Sequence, residues 1–576
     1  MIRLFRYLRP YGVAVAAVLV LVFMQCIADL YLPTLMSDIV NKGITNGDIT
    51  YIVQTGGLML LVALGGSACA VVAGYLSAHA SMGLGEILRE KIFTHVSHFS
   101  LHEVDKLGTP SLVTRSTNDV TQVQMFTLIM LRMIISAPIM MAGGIILAVS
   151  KDPGLSWVII IVIPVLAVTI IVVAVKGFPL FRAIQKKIDK INLVLREGLT
   201  GIRVIRAFNR IDDEKKRFRA ANLDLMRTSI QVNRLMAVLM PIMMLVMNLT
   251  TVTIIWFGSV RVDHGTSNIG NMMAFLQYAI QILISLLMAS LLFIMLPRAQ
   301  ASADRINEVL ATMPEITDPE RAQEPDSATK GYVEFRNVSF HYRRAEEPAI
   351  SSISFSARPG EVTAIIGSTG SGKSTLINLI PRFYDVDSGC ILIDGVDVRE
   401  MSQKALRSRI GLVPQTAVLF SGTVAENIRY GKRDANDEEV RRAAQTAQAL
   451  DFISEMKDGF DSIIAQGGTN VSGGQKQRLS IARALVKKPE IFLFDDSFSA
   501  LDFKTDARLR EALRKETADA TVLIVGQRVA TVMDADRIIV LDEGRIAGMG
   551  THKELFATCE VYREIVASQL SAEEIA

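Results

Sequence analysis

Six apolar runs, near residues 11–35, 53–79, 126–150, 155–176, 235–260 and 271–297, limit this chain more than any other feature. Each is at least about the length, ~20 residues, that an α-helix needs to cross the hydrocarbon core of a bilayer. In that medium a backbone satisfies its own N–H and C=O groups only as a helix or a closed barrel, and runs this long read as helices. The hydrophobic share is 50% and the mean hydropathy +0.34, too apolar for an ordinary soluble chain, with the apolar residues concentrated before about residue 300. The first run follows the basic residues Arg3, Arg6 and Arg9, as in a signal peptide. It is too long for one, lacks a small-x-small cleavage site and is followed by more apolar runs, so it reads as an uncleaved spanning helix.

The connections alternate. Those near 37–51, 151–154 and 261–269 are short, whereas those near 80–125 and 177–234 are long, polar and helical in pattern. The second long one is rich in cations, among them Lys186, Lys187, Lys190, Arg203, Arg206, Arg210, Lys215 and Lys216. Basic excess beside membrane ends marks the cytoplasmic side, and the leader agrees, so both termini and both long connections are expected inside the cell. Each long connection breaks near its middle, at Leu107-Gly108-Thr109-Pro110 and at Ala207-Phe208-Asn209-Arg210-Ile211-Asp212, where the chain can turn and present a short helix. Such extensions are either solvated ends or levers that touch another domain, and the lever is the preferred reading.

Within the spans, Asp29, Arg132, Asn248, Gln277, Gln281 and Arg298 are costly in lipid, and each is either a satisfied interhelix contact or a substrate contact. The fifth and sixth spans carry Met236, Met240, Met243, Met244, Met247, Met288 and Met295, which suits either gap-filling or an adaptable cavity. Cys26, Cys69, Cys390 and Cys559 are scattered, without metal spacing, and read as packed thiols. A net charge of +3 with no basic tract and interleaved aromatics gives no sign of a nucleic-acid partner.

After a linker over residues 313–330, with Pro314, Pro319 and Pro325, the pattern changes. From residue 331, short apolar strands at 333–335, 353–355 and 362–366 precede helices, as in an α/β domain with a largely parallel sheet. The third strand runs into Gly367-Ser368-Thr369-Gly370-Ser371-Gly372-Lys373-Ser374-Thr375, which fits G-x-x-x-x-G-K-[ST] between a strand and a helix. The glycines let successive N–H groups point inward and, with the positive end of the helix, cradle phosphate. Lys373 is then expected to reach the β- and γ-phosphates of a nucleoside triphosphate and the Ser374 hydroxyl to ligate Mg²⁺.

The other motifs separate GTPases, kinases, helicases and transporters. Val471-Ser472-Gly473-Gly474-Gln475 opens a helix and forms a second anion site far along the chain from the first. One subunit cannot easily close both on one phosphate chain, so two nucleotide domains meeting head to tail are expected. The hydrophobic strand 491–494 ends in Asp495, a second anchor for Mg²⁺. Gln415, after the strand 410–413, can reach the metal or the attacking water, and Asp496 stands in the position of the catalytic base.

The order of Tyr342, the phosphate loop, Gln415, the Val-Ser-Gly-Gly-Gln pentapeptide, Asp495-Asp496, Ser499-Ala500-Leu501-Asp502 and Gln527 resembles the nucleotide-binding domain of ABC transporters. With six preceding spans, nearly the whole chain resembles a half-transporter of the multidrug-type ABC exporter family. The resemblance implies a polytopic α-helical membrane domain over 1–312, the linker 313–330, and an α/β phosphate-loop nucleotide domain over 331–576. It implies that Tyr342 stacks on adenine, that Gln415 is the Q-loop residue, that Ser472 to Gln475 contact the γ-phosphate held by the other subunit, and that Ala500 to Asp502 cross the dimer seam. It also makes the two breaks in the long connections coupling helices, the second docking on the partner's nucleotide domain.

Two departures bear on mechanism. Members active in hydrolysis usually have glutamate where this chain has Asp496, and a switch histidine where it has Gln527. Aspartate is one methylene shorter, so its carboxylate falls roughly an ångström short of the water, a misplacement that costs about a hundredfold in rate. Gln527 can still hydrogen-bond the γ-phosphate but cannot carry the histidine's charge. Both changes weaken one composite site, so the expected assembly is a heterodimer in which this chain's own site cleaves ATP weakly and its pentapeptide completes a competent site on the partner. The expected cargo is hydrophobic or amphipathic (drugs, lipids or peptides), the expected location a bacterial inner membrane with its lipids. An importer or lipid flippase with the same fold, or a nucleotide-gated channel or regulatory subunit, remains an alternative.

Overall fold

The computed structural model describes residues 1–325, 330–343 and 345–569, leaving aside the side chains at 174, 178, 239, 240, 290, 291, 293 and 294. Residues 326–329 of the expected linker and the Met240 side chain therefore lie outside the described residues. The chain forms two compact units, one of Met1–Ser97 with Gly108–Thr312, the other of His98–Leu107 with Met313–Ala576.

The first unit contains the six expected apolar helices: Gly12–Asp38, Ile49–Val96, Val120–Lys151, Ser156–Thr200, Ile211–Asp263 and Ile269–Ala311. All six carry a window long and apolar enough to cross a membrane. Their outward faces are apolar, with Leu60, Leu61, Leu64, Val71 and Val72 of the second helix exposed, as lipid contact requires. The 53 residues of Ile211–Asp263 make a rod of about 80 Å at 1.5 Å per residue, far more than a ~30 Å hydrocarbon core. These helices therefore continue well outside it.

Both breaks in the long connections fall where the sequence places them. A seven-residue helix, Leu101–Leu107, ends at Gly108, whose φ of 76° needs no Cβ, and Pro110 sits in the first turn of the next helix. A six-residue helix, Ile202–Ala207, ends before Asn209, at φ 53°. None of its residues is buried, and Val204 and Phe208 are 60% and 74% exposed.

In the second unit, Val362–Gly367 (β3), Ile410–Val413 (β6), Ile491–Asp495 (β9), Thr521–Val525 (β10), Arg537–Asp542 (β11) and Arg545–Gly550 (β12) form a six-stranded sheet in the order β12-β11-β3-β10-β9-β6. All neighbours are parallel except the β11–β12 edge. β9 and β10 read Ile-Phe-Leu-Phe-Asp and Thr-Val-Leu-Ile-Val and are buried throughout, as parallel strands covered on both faces must be. The expectation that the strands at 333–335 and 353–355 precede helices in this sheet is corrected. They belong to eight-residue strands, Val333–Phe340 (β1) and Ile350–Ala357 (β2), which pair antiparallel with each other. With Ser388–Ile393 (β4) and Val396–Asp397 (β5) they make a separate four-stranded sheet, order β2-β1-β4-β5. The alternation of buried and exposed residues along β1 and β2 marks one solvated face, which is the antiparallel signature. A two-stranded ribbon of Gly422–Thr423 (β7) and Ile463–Ile464 (β8) completes the unit.

Candidate functional site

Four neighbouring parallel strands, β3, β10, β9 and β6, deliver their carboxyl ends to one edge of the large sheet, the place where open α/β sheets bind ligands. β3 passes through the glycine-rich loop into the helix Lys373–Leu379. Two glycines there admit no substitute. A Cβ on Gly367 would lie 2.1 Å from the Leu541 carbonyl oxygen, and Gly372, at φ 95°, would bring one to 2.5 Å from that of Ala349. Ser368, Thr369, Gly370 and Ser371 form the turn between them, and the Lys373 ammonium folds back over it, donating to the carbonyls of Gly367 at 2.9 Å and Ser368 at 2.6 Å. Those carbonyls hold the ammonium in the loop it is meant to guard. Burial pushes the Lys373 pKa down, opposed by the charges of Asp496 and Asp495.

The Ser374 hydroxyl donates to Asp495 Oδ1 at 3.0 Å, so the two predicted Mg²⁺ anchors, from β9 and from the helix after β3, lie side by side. A pair of hard oxygens, to be completed by phosphate oxygens and water, is the donor set Mg²⁺ favours, and the residues fit that ion. Tyr342 is 39% exposed, and its hydroxyl lies 3.1 Å from Thr375 Oγ1. Its ring packs edge-on against Phe340 and Tyr384, which presents an aromatic face beside the phosphate loop.

Asp496, one residue beyond β9, has a φ of 46° and is 8% exposed. Its carboxylate gathers the other two residues singled out around it. Gln527 Nε2, from the loop after β10, donates to Asp496 Oδ2 at 2.9 Å, and Gln415 Nε2, after β6, approaches the same oxygen at 3.5 Å. Burial pushes the Asp496 carboxyl above its ordinary range, opposed by hydrogen bonds from Gln415 and Ser499. Asp495 is raised by burial too, with Ser374 pulling it down and the charge of Asp496 adding to the rise.

Ser472, Gly473, Gly474 and Gln475 stand apart. Ser472 caps the helix Gly473–Val486 in a reciprocal box, its hydroxyl accepting from Gln475 N–H at 3.3 Å while Gln475 Oε1 accepts from Ser472 N–H at 2.9 Å. Gly474 lies against the next loop, where a Cβ would meet the Ala500 carbonyl oxygen at 3.0 Å. Asp502 in that loop caps Phe503–Glu516 by accepting from Thr505 N–H at 3.0 Å. Among the described residues no hydrogen bond joins this group to the phosphate loop.

One residue that sequence reasoning missed is Gln569. Its Oε1 accepts from Val529 N–H and its Nε2 donates to the Gln527 carbonyl, both at 2.8 Å, so the end of the chain clamps the backbone that carries Gln527. Nothing in its local sequence marks it, because the contact spans 42 residues.

A membrane-spanning helical unit followed by a phosphate-loop domain with a separated serine-glycine pentapeptide defines a membrane-bound, nucleotide-driven machine. The ABC transporter transmembrane region model matches residues 15–287, and the ABC transporter model matches residues 350–499. An uncharacterized ABC transporter ATP-binding protein of Mycobacterium tuberculosis is 43% identical over 98% of this chain and 97% of its own length. YfiB, an uncharacterized ABC transporter ATP-binding protein of Bacillus subtilis, is 39% identical over 98% of both. The structure of a bacterial Atm1-family ABC exporter with ATP bound superposes with a TM-score of 0.80 at 25% identity, covering 97% of this chain and 98% of that one. The chain belongs to the ABC transporter family: it is an integral membrane half-transporter with the exporter fold and an ATP-binding domain whose ATPase activity is coupled to transport.

Proposed function

We propose that the chain is one half of a heterodimeric exporter of hydrophobic or amphipathic compounds, and that its own ATP site is the slow one. The domains divide at a linker over 313–330, with the nucleotide domain and both termini cytoplasmic, in a bacterial inner membrane. The observation that carries the reading is the 2.9 Å bond from Gln527 Nε2 to Asp496 Oδ2. A carboxylate that is short and already engaged by a neutral amide is poorly set to take a proton from water. Mg²⁺, when bound with the triphosphate, neutralises charge building on the β- and γ-oxygens. Lys373 and the loop N–H groups hold the phosphates, Ser374 and Asp495 hold the ion, and Tyr342 receives the adenine. Gln415 orients the water, and Asp496 accepts its proton slowly. The exposed Ser472–Gln475 turn closes over the triphosphate of the second subunit, whose own pentapeptide closes over this one.

The test is single-turnover hydrolysis in the purified native assembly, with the double variant Asp496→Glu, Gln527→His. Restoring the longer base and the charged switch raises turnover at this site about a hundredfold, the loss expected for an ångström's misplacement. Brisk turnover by the unmodified chain as a homodimer, indifferent to Asp496→Asn, would overturn the slow-site reading while leaving ATP-driven export intact.

A further inference from the structure

Where the first and sixth spanning helices pack together, the chain sets a carboxylate without a cation beside a buried acceptor without a donor. Asp29, half-buried in Gly12–Asp38, is met by Gln25 Nε2 at 3.5 Å, and no cation pairs with it among the described residues. Across the seam, Gln281 Nε2 donates to the Asp29 main-chain carbonyl at 3.1 Å. Gln281 Oε1 is buried and has no hydrogen-bond partner. The neighbouring polar groups are satisfied: the Tyr278 hydroxyl lies 2.6 Å from Thr34 Oγ1 and donates to the Leu30 carbonyl at 2.9 Å. A carboxylate without a cation and an amide oxygen without a donor are costly in an apolar bundle, so such groups persist where something else completes them.

One turn along the same two helices lies a cavity of about 240 Å³ lined by Pro33, Met36, Met272, Met273 and Gln277, with Ile255 of the fifth helix as a further wall. Asp29, Pro33 and Met36 are spaced i, i+4, i+7, and Met273, Gln277 and Gln281 i, i+4, i+8, so acceptors and cavity share one face of each helix. The cavity holds an aromatic or branched alkyl arm rather than a whole drug-sized molecule, and methionine adjusts to its shape. A bare divalent ion would need six or more oxygens, which the described residues do not supply.

We infer that this seam binds an amphipathic organic cation, with its charge on the Asp29 carboxylate, an N–H donor on Gln281 Oε1 and an apolar arm in the cavity. The site's purpose rests on the exporter reading, but its occupancy does not.

The test is nucleotide-free equilibrium binding of ethidium, a flat cation bearing N–H donors, to the full-length protein with its native partner in lipid nanodiscs, read against empty discs. Saturable binding is expected to weaken at least about tenfold in Asp29→Asn, to stay within about threefold in Asp29→Glu, and to weaken about threefold in Gln281→Leu. Phenanthridine, the neutral aromatic core without donors, is expected to bind at least about tenfold more weakly than ethidium. Unchanged affinity in a folded Asp29→Asn protein, or phenanthridine binding as well as ethidium, overturns the site. ATP-driven ethidium uptake into inverted vesicles separates the two readings. Asp29-dependent binding with no pumping keeps the seam and removes the exporter, whereas pumping indifferent to Asp29→Asn does the reverse.

Discussion

Asp496 combines burial with a backbone at positive φ, and the burial makes its ionised form expensive. Because its folded pKa is raised above the ordinary 3.8, the folded chain binds that proton more tightly than the unfolded one. The cost is therefore present above the folded pKa, shrinks as the pH falls through it, and is gone below 3.8. Asp496→Asn removes the charge, and asparagine tolerates positive φ. The nucleotide-free protein is then expected to gain about 1 kcal/mol at pH 7, and its melting curve to rise less on acidification. Calorimetry across that pH range checks both. Gln569 acts one step further out. Because water can replace its exposed hydrogen bonds, Gln569→Ala should cost less than about 1 kcal/mol of stability. On an Asp496→Glu background, where turnover is easily read, it is expected to lower kcat about threefold with the KM for ATP unchanged, since it loosens the switch and not the phosphate cradle.

Elements built on backbone geometry fail differently. Gly372→Ala forces a Cβ into a left-handed turn 2.5 Å from the Ala349 carbonyl oxygen. That strain alone costs about 1–2 kcal/mol, so ATP affinity, measured by fluorescence of a labelled nucleotide, is expected to fall at least tenfold. This loop was legible in the sequence because glycine spacing, lysine and hydroxyls are read locally, as were the six spanning helices, whose length and apolarity need no partner to be seen. The break at Gly108 was legible for the same reason. What escaped were pairings settled only by packing. β1 and β2 resemble members of the parallel sheet in their short apolar runs, yet β1 pairs antiparallel with both β2 and β4. Arg261, in the last turn of Ile211–Asp263, and the buried Asp152, just beyond Val120–Lys151, form an ion pair at 3.1 Å although 109 residues apart, with no motif to announce it. Gln569 and the contact of Gln281 with Asp29 belong to the same class.

For the whole molecule, the bare tip at Ile202–Ala207 matters most. Val204 and Phe208 are apolar, exposed and at the end of a long helical arm, which is what the proposed docking on a second subunit requires. Phe208→Ser is expected to leave this chain's stability within about 0.5 kcal/mol and its ATP affinity unchanged, yet to cut transport by the native assembly at least fivefold in vesicle assays. The segment His98–Leu107 answers to the opposite logic. It is counted with the nucleotide unit although the chain on both sides of it belongs to the membrane unit, and its Glu103 carboxylate accepts from the Glu315 N–H at 3.3 Å. The two modules are thus interleaved along the gene. Recombination at the 313–330 boundary would hand a new membrane region a cassette missing ten of its residues, so inheritance should favour exchanging such chains whole.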